Sequence, residues 1–312
     1  MPNLDTEFLQ YCGGVESNSF INVLHNNTDE DDDVAHSAPQ IIVHSPYYEF
    51  TDLIPTLNGH KNGFSILSSN IQSLNAKIDH LKIFVEDLRM QGIEFDAICI
   101  QESWLCEDDD TSQLQITGYN MISQGHSCST KGGLVTYLHE KFDYEYKSRL
   151  TQFETWEGQI IHIKRGKILN KGINLVNIYR PPKDTIDKYS EFTQEVGETL
   201  KVLASSNNEA IIAGDFNIDL LKINDRPIFS DYFDMLMSNS FYPKITLPTR
   251  LSNNHGTLID NILCKLSETT LDTVSGILIN KFSDHQPCFT ILKSIQDKYH
   301  IPKYVEVNRR DA

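Results

Sequence analysis

Six short stretches of this 312-residue chain hold the side chains with the most chemical reach. They carry Asn70, Glu102, Tyr179, the pair Asp215 and Asn217, Asp260, and the pair Asp284 and His285. Most stand where an apolar run gives way to polar residues, so strand ends are expected to deliver them to the rim of a sheet, where sites are commonly built. A carboxylate can take a proton from water, and a neutral amide can orient that water or a phosphate oxygen without adding repulsion. In extended backbone, positions i and i+2 point to one face. Asp215 and Asn217 are therefore predicted to face a ligand together, with Phe216 buried between them. Glu102 follows the run Ile98-Cys99-Ile100-Gln101 and suits magnesium, which takes one or two carboxylates with phosphate oxygens and water. Asp284 and His285 are adjacent and do not face each other in a strand, so His285 is predicted to pair with a distant carboxylate such as Asp260. Tyr179, in a turn stiffened by Pro181 and Pro182, can donate its hydroxyl to a phosphate.

Each of these positions also has a purely structural reading. Gly214-Asp215 can be a turn with Asn217 as a helix cap. Glu102 and Asp284-His285 can be solvated turn residues, and Tyr179 an amphipathic rim residue. Gly132-Gly133 lacks the spacing of a phosphate-binding glycine loop and reads as the start of a strand. His139, His162 and His255 show no metal-ligand spacing and are expected to be ordinary surface or half-buried residues.

The elements that must carry these residues follow from periodicity. Leu74, Ile78, Leu81, Phe84 or Val85, and Leu88 recur every three to four residues, which predicts an amphipathic helix stopping near Gly92. Helices are also predicted over 189–204 and 228–237. Strands are predicted over 64–67, 95–100, 132–138, 159–163, 173–179, 210–213, 258–263, 271–279 and 288–292. Many strands with a few interspersed helices suggest one α/β domain built on packed sheets.

Charge divides the chain unevenly. There are 27 Lys and Arg against 43 Asp and Glu, for a net charge of −16. Residues 1–60 hold ten acids and no Lys or Arg, leaving 27 bases against 33 acids beyond them. Residues 1–60 are read as an acidic, mostly disordered leader, with 41–43 and 47–57 able to dock locally. The folded domain is placed at 61–295 and a C-terminal tail or linker start at 296–312. A mildly acidic body does not advertise nucleic-acid binding by bulk charge, so an anionic substrate calls for local bases or a cation. The six cysteines show no CxxC pair, which disfavours a disulfide framework or zinc site and favours a reducing compartment. No stretch approaches the roughly 18 apolar residues of a membrane span, and the N-terminus lacks the features of a secretory signal.

Taken in order, SSNIQSLN (68–75), IQES (100–103), NIYRPP (177–182), AGDFN (213–217), TLIDNI (257–262) and FSDH (282–285) resemble the endonuclease/exonuclease/phosphatase superfamily. With KGGLVTYL (131–138), the YRPP, GDFN and SDH forms are most similar to the apurinic-type endonuclease domain of non-LTR (LINE-like) retrotransposons. The resemblance spans about residues 63–293. It implies a four-layered α/β sandwich: two packed mixed β-sheets flanked by helices, with the site at one rim. It also implies a set of roles. Asn70 would lie near metal and phosphate, Glu102 would bind the metal, and Tyr179 would contact the phosphate. Asp215 would activate or position the water, and Asn217 would hold a phosphate oxygen. Asp260 would orient the histidine, Asp284 would be the last acid near the metal, and His285 would sit on the scissile phosphate. The metal set is thus Glu102, Asn70 and Asp284.

The activity so implied is a Mg²⁺-dependent (or Mn²⁺-dependent) DNA endonuclease that nicks one strand and leaves a 3′ hydroxyl. Lys131, Arg180, Lys183 and Arg250 are expected to supply DNA-backbone contacts. The implied partners are DNA and a reverse transcriptase domain encoded downstream in a full-length element, with no membrane; the implied place of work is inside the cell, in the nucleus when acting on DNA. Two other readings stand beside it. One is a phosphatase or phosphodiesterase of the same fold acting on a small phosphorylated substrate, since fold does not settle substrate. The other is a non-catalytic interaction protein on the same scaffold.

Overall fold

The computed structural model describes residues 45–124, 131–147, 155–164, 171–182, 185–252, 255–266, 272–280 and 282–293. The elements are β1 (Tyr47–Tyr48), α1 (Phe50–Gly59), β2 (Phe64–Asn70), α2 (Leu74–Met90), β3 (Ala97–Gln101), β4 (Tyr119–Gln124), β5 (Leu134–His139), β6 (Tyr144–Tyr146), β7 (Glu157–Ile163), β8 (Ile173–Tyr179), α3 (Ile186–Ser205), β9 (Glu209–Asp215), α4 (Pro227–Ser238), β10 (Tyr242–Pro243), β11 (Arg250–Ser252), β12 (His255–Thr257), β13 (Asp260–Lys265), β14 (Thr273–Leu278) and β15 (Cys288–Leu292).

One sheet runs β1-β14-β15-β2-β3-β5-β4 and a second runs β10-β13-β9-β8-β7-β6. Alternation of side chains fixes which face meets what. Phe64, Ile66, Ala97 and Cys99 of the first sheet join a core with Ile160, Leu175 and Ala213 of the second. Their neighbours Leu67, Ile98 and Ile100 point the other way, into a core with Leu74, Ile78 and Leu81 of α2 and Leu53 and Leu57 of α1. Phe192, Val196, Tyr232 and Phe233 of α3 and α4 pack against the second sheet within the inter-sheet core cluster. The four layers are thus helices, sheet, sheet, helices, as the resemblance implied.

The position of the site is a consequence of topology. Each sheet contains one parallel pair joined through a helix: β2-α2-β3, with Asn70 opposite Gln101, and β8-α3-β9, with Tyr179 opposite Asp215. Parallel neighbours end at the same edge. The antiparallel partner β13 begins at that edge, with Asp260 opposite Asp215. Strand β15 runs antiparallel to β2 with Cys288 opposite Ser68, so His285, just before it, arrives at the same rim.

The α2 helix buries the predicted stripe of Leu74, Ile78, Leu81, Phe84, Val85 and Leu88, and the Ser73 hydroxyl caps its first turn. Gly92 at φ +70 turns the chain out of it. The expected boundary at residue 61 is corrected. Within the supposed leader, β1 pairs with β14, Leu53 and Leu57 are buried, and Ser45 Oγ hydrogen-bonds Thr246 Oγ1 at 2.8 Å. A chain beginning at 61 would lose one edge strand and a core helix. The expectations for 1–44 and for the tail from 296 lie outside the described residues. Among the described residues Cys99, Cys106, Cys264 and Cys288 are not in disulfides, and no helix is long and apolar enough to cross a membrane.

Candidate active site

Asn70 is the hub of the rim. It is 1% exposed, and its Nδ2 donates to Glu102 Oε1 at 2.8 Å and to Asp215 Oδ2 at 2.9 Å, tying the two sheets together. Asp215 Oδ1 accepts from the Asn217 backbone N–H at 3.0 Å. His285, 2% exposed, has Nδ1 3.0 Å from both oxygens of Asp260 and 3.9 Å from Asp215 Oδ2. Thr249 Oγ1 donates to Asp260 Oδ2 at 2.7 Å. Tyr179 stands opposite Asp215 in the β8–β9 register and within the field of the Glu102 and Asp215 charges. Seven of the eight expected residues therefore form one continuous cluster, and the expected Asp260–His285 pair is present.

Asp284 stands apart from it. Its Oδ1 accepts from Gln72 Nε2 and its Oδ2 from Arg250 Nε, both at 2.8 Å. Burial raises its pKa, but these two hydrogen bonds and the neighbouring His285 and Arg250 charges leave it below the usual carboxylate range. Its carboxylate is held by Gln72 and Arg250, whereas Asn70 and Glu102, with which the expected metal set groups it, hydrogen-bond each other. Asn217 also departs from expectation. Its φ is +48, so it sits in a turn capped by Asp215 instead of continuing the strand, and its Nδ2 donates to the Arg180 carbonyl at 2.8 Å. Arg180 is not a DNA contact at all. It is 1% exposed, lies 4.0 Å over the Tyr189 ring and donates to the Asn217 carbonyl at 3.2 Å, so it braces the turn from beneath. Lys183 lies outside the described residues; Arg250 is held by Asp284, and Lys131 is exposed.

The electrostatics divide proton duties between the groups. Burial first, and Asp260 second, push Asp215 up to about 7, against the opposing pull of His285, Asn70 and the Asn217 N–H. Burial works against a charged His285, but Asp260, by charge and hydrogen bond, and then Asp215 outweigh it and raise the ring to about 9. At neutral pH the imidazole is protonated, its Nδ1–H spent on Asp260, leaving Nε2–H as the remaining donor. Burial and the charges of Glu102, Asp215 and Glu157 hold the Tyr179 phenol well above its ordinary value, so it too remains a donor.

Two groups of ligands could attract a cation. Asp215, Asp260 and His285 offer ligand atoms within 4.8 Å of one another, but the ring proton lying between His285 and Asp260 makes that set a hydrogen-bonded acid–base cluster. Glu102 and Asn70 fit a cation better. Asn70 Oδ1 is buried without a hydrogen-bond partner among the described residues, beside the Glu102 carboxylate. Each Glu102 oxygen accepts one side-chain hydrogen bond, from Asn70 or Trp104, and keeps a further lone pair; such a carboxylate beside an unpartnered carboxamide oxygen is a donor set a hard divalent ion takes.

Sequence reasoning missed a polar seam between the sheets directly below the rim. Gln101 Nε2 donates to Asn177 Oδ1 at 2.7 Å, and Asn177 Nδ2 donates to the Val135 carbonyl at 3.1 Å. Thr136 Oγ1 donates to Gln159 Oε1 at 2.5 Å. All four residues are fully buried. A signal existed, since Gln101 and Asn177 interrupt apolar strands within the quoted motifs. Backbone geometry marks the same rim. Gln72, Ser73, Glu102, Trp104 and Asn217 adopt left-handed φ, among six described non-glycine residues that do, and such strain clusters at sites. Gly214 is required by close approach, because a Cβ there would lie 1.9 Å from the Ile178 carbonyl oxygen.

This arrangement, carboxylates and a charged imidazole at the rim of a four-layered sandwich, defines a hydrolytic fold class. Residues 67–285 match the sequence profile of the Endonuclease/Exonuclease/phosphatase family, and the chain belongs to that family, whose members are nucleases and phosphatases. Solved structures share the fold at low identity. The AP endonuclease LMAP from Leishmania major aligns with a TM-score of 0.62 at 16% identity, over 80% of this chain and 92% of that one. The endonuclease domain of TRAS1, a telomere-specific non-LTR retrotransposon, aligns at 0.55 and 16%, over 74% and 98%. The catalytic domain of Xenopus laevis APE2 aligns at 0.57 and 19%, over 74% and 92%. No curated protein matches the chain.

Proposed function

We propose that the chain is a metal-dependent DNA endonuclease of the non-LTR retrotransposon type, nicking one strand to leave a 3′ hydroxyl that a reverse transcriptase extends, in the nucleus. The observation that carries the hydrolytic part is Asp215: a buried carboxylate with proton affinity near neutrality, 3.9 Å from a protonated imidazole. DNA as substrate is supported by the motif resemblance and by fold neighbours that are AP endonucleases and a retrotransposon endonuclease.

Asp215 takes a proton from the attacking water, with Asn70 and the Asn217 N–H holding its carboxylate in place. The water oxygen bonds to phosphorus, the P–O3′ bond breaks, and the departing 3′ oxygen takes a proton from solvent. His285 Nε2–H and the Tyr179 hydroxyl donate to phosphate oxygens, favouring the more charged transition state. Glu102 and Asn70 would hold Mg²⁺ or Mn²⁺, which supplies Lewis-acid stabilisation of the phosphate and leaving oxygen. Asp260 orients the imidazole and keeps it charged.

The test is supercoiled plasmid incubated with the full chain, with Mg²⁺ and with EDTA. Nicked circles that form only with Mg²⁺, and that DNA polymerase extends without prior phosphatase treatment, are the expected result. Phosphate release from small phosphomonoesters with intact plasmid would favour the small-substrate reading.

A further inference from the structure

We infer that Trp104 is a stacking platform for a DNA base beside the scissile phosphate and, through its indole N–H, a positioning residue for Glu102. The inference rests on the nuclease reading above and adds how that site grips its substrate. Trp104 is 36% exposed. Among the described residues, the other exposed large apolar side chains, Ile83, Met90, Ile186, Val202 and Tyr242, lie on helices or on β10, and Trp104 alone stands within two residues of the site. Its Nε1–H donates to Glu102 Oε2 at 3.1 Å. The polar edge of the indole is therefore satisfied while ring surface is left to solvent, the reverse of what packing alone would select.

The local backbone holds this pose against its own preference. Glu102 and Trp104 both lie in the left-handed region, at φ +50 and +56, where a bulky side chain is strained. Four backbone hydrogen bonds fix the segment from both sides. Ser73 N–H and Leu74 N–H donate to the Glu102 and Ser103 carbonyls, each at 2.9 Å; Ser103 N–H and Trp104 N–H donate to the Gly133 and Gly132 carbonyls at 3.0 and 2.9 Å. The bracing turn needs its glycines. Gly132 and Gly133 have φ +95 and +85, and a Cβ on Gly133 would lie 2.6 Å from Ser103 Oγ. A rigid, exposed aromatic ring costs little entropy to present to a ligand.

Charge narrows what can cover the ring. Glu107, Asp108, Asp109 and Asp110 follow closely, all exposed, with Asp109 folded back onto the Cys106 N–H. These carboxylates disfavour phosphate on the ring face, so of the parts of a DNA substrate the uncharged base, not its phosphate, is the one that covers the ring. Every base has a π-face to stack. A base stacked on protein has left its own stack in the duplex, so nicking should favour steps that unstack easily, such as TA or a mismatch.

The full chain is titrated with a duplex oligonucleotide carrying its strongest mapped nick site, in EDTA to prevent cutting, while tryptophan fluorescence is read. Trp156 is buried, so an exposed Trp104 dominates any response. Quenching on binding that disappears in Trp104→Phe is expected. Trp104→Phe keeps a ring but lacks the N–H; it should bind DNA within about threefold of wild type while needing several-fold more Mg²⁺ for half-maximal rate. Trp104→Ala should also lose binding on the order of 10-fold, together with the preference for a mismatch at the cut step. Unquenched fluorescence in a wild-type protein that nicks DNA would overturn the inference and spare the nuclease reading, whatever the stability of the alanine variant. A wild type that neither binds nor nicks DNA would overturn both.

Discussion

On one side of Asp215, His285 and Asp260 are 2% and 5% exposed and the shared ring nitrogen is fully engaged. On the other, Glu102 is only half-buried and the Asn70 carboxamide oxygen has no hydrogen-bond partner among the described residues. The contrast follows from what each half must do. Setting proton affinities needs burial, where charges act strongly on one another and geometry is fixed. Holding an exchangeable cation needs oxygens with lone pairs to spare, at least one of them, here on Glu102, within reach of solvent. Asn70 touches both halves, so the sheets must stay in register for either to work.

Mutations should separate the halves. Asp260→Asn removes the strongest influence raising the His285 pKa. A protonated His285 is present below its pKa, so its contribution to activity and to folding is full below the ordinary 6.5 and is lost as pH rises through about 9. The alkaline limb of the rate profile should move down in the variant, with the rate at pH 8 falling at least roughly 10-fold and the Mg²⁺ midpoint unmoved. Glu102→Gln should do the converse. Its Mg²⁺ midpoint should rise at least roughly 10-fold, excess Mg²⁺ should recover part of the rate, and the pH limbs should stay in place. Identical Mg²⁺ midpoints in Glu102→Gln and wild type would remove Glu102 from the cation half.

Asn177→Ala tests whether the seam supports both halves equally. It leaves Gln101 and the Val135 carbonyl short of partners in a buried place, which costs about 1–3 kcal/mol. A denaturant midpoint lowered accordingly, with the pH limbs and the Mg²⁺ midpoint shifted together or not at all, is expected. The smallest effect concerns the acidic turn. Glu107→Gln with Asp108→Asn should tighten DNA binding no more than about threefold at low salt, and the gain should vanish near 1 M salt, where screening acts within about 3 Å.

The sequence disclosed the parts of the molecule whose side chains repeat with a period or recur in a set order. The stripe of α2 was legible because all six apolar positions face one core, and the site was legible because its residues close off apolar strands. Where the sequence misled, charge was the cause. Acids without bases over 1–60 suggested a disordered leader, while Pro55 inside α1 masked a helix that buries Leu53 and Leu57. Arg180 reads as a surface base, yet stacking on Tyr189 and carbonyl acceptors from the Asn217 turn place it in the interior. The edge strand β4 mixes Asn120, Ser123 and Gln124 with Tyr119 and Ile122, and its half-buried pattern carries too little alternation to be seen.

The central claim is that Asp215 activates water at a phosphodiester. The direct test is single-turnover cleavage of an end-labelled duplex by wild type and by Asp215→Asn, a variant of the same size that lacks the charge. The account predicts 3′-hydroxyl and 5′-phosphate ends from the wild type, equal DNA binding by both proteins, and a rate at least roughly 10²-fold lower in the variant. Cleavage by Asp215→Asn at the wild-type rate would contradict it.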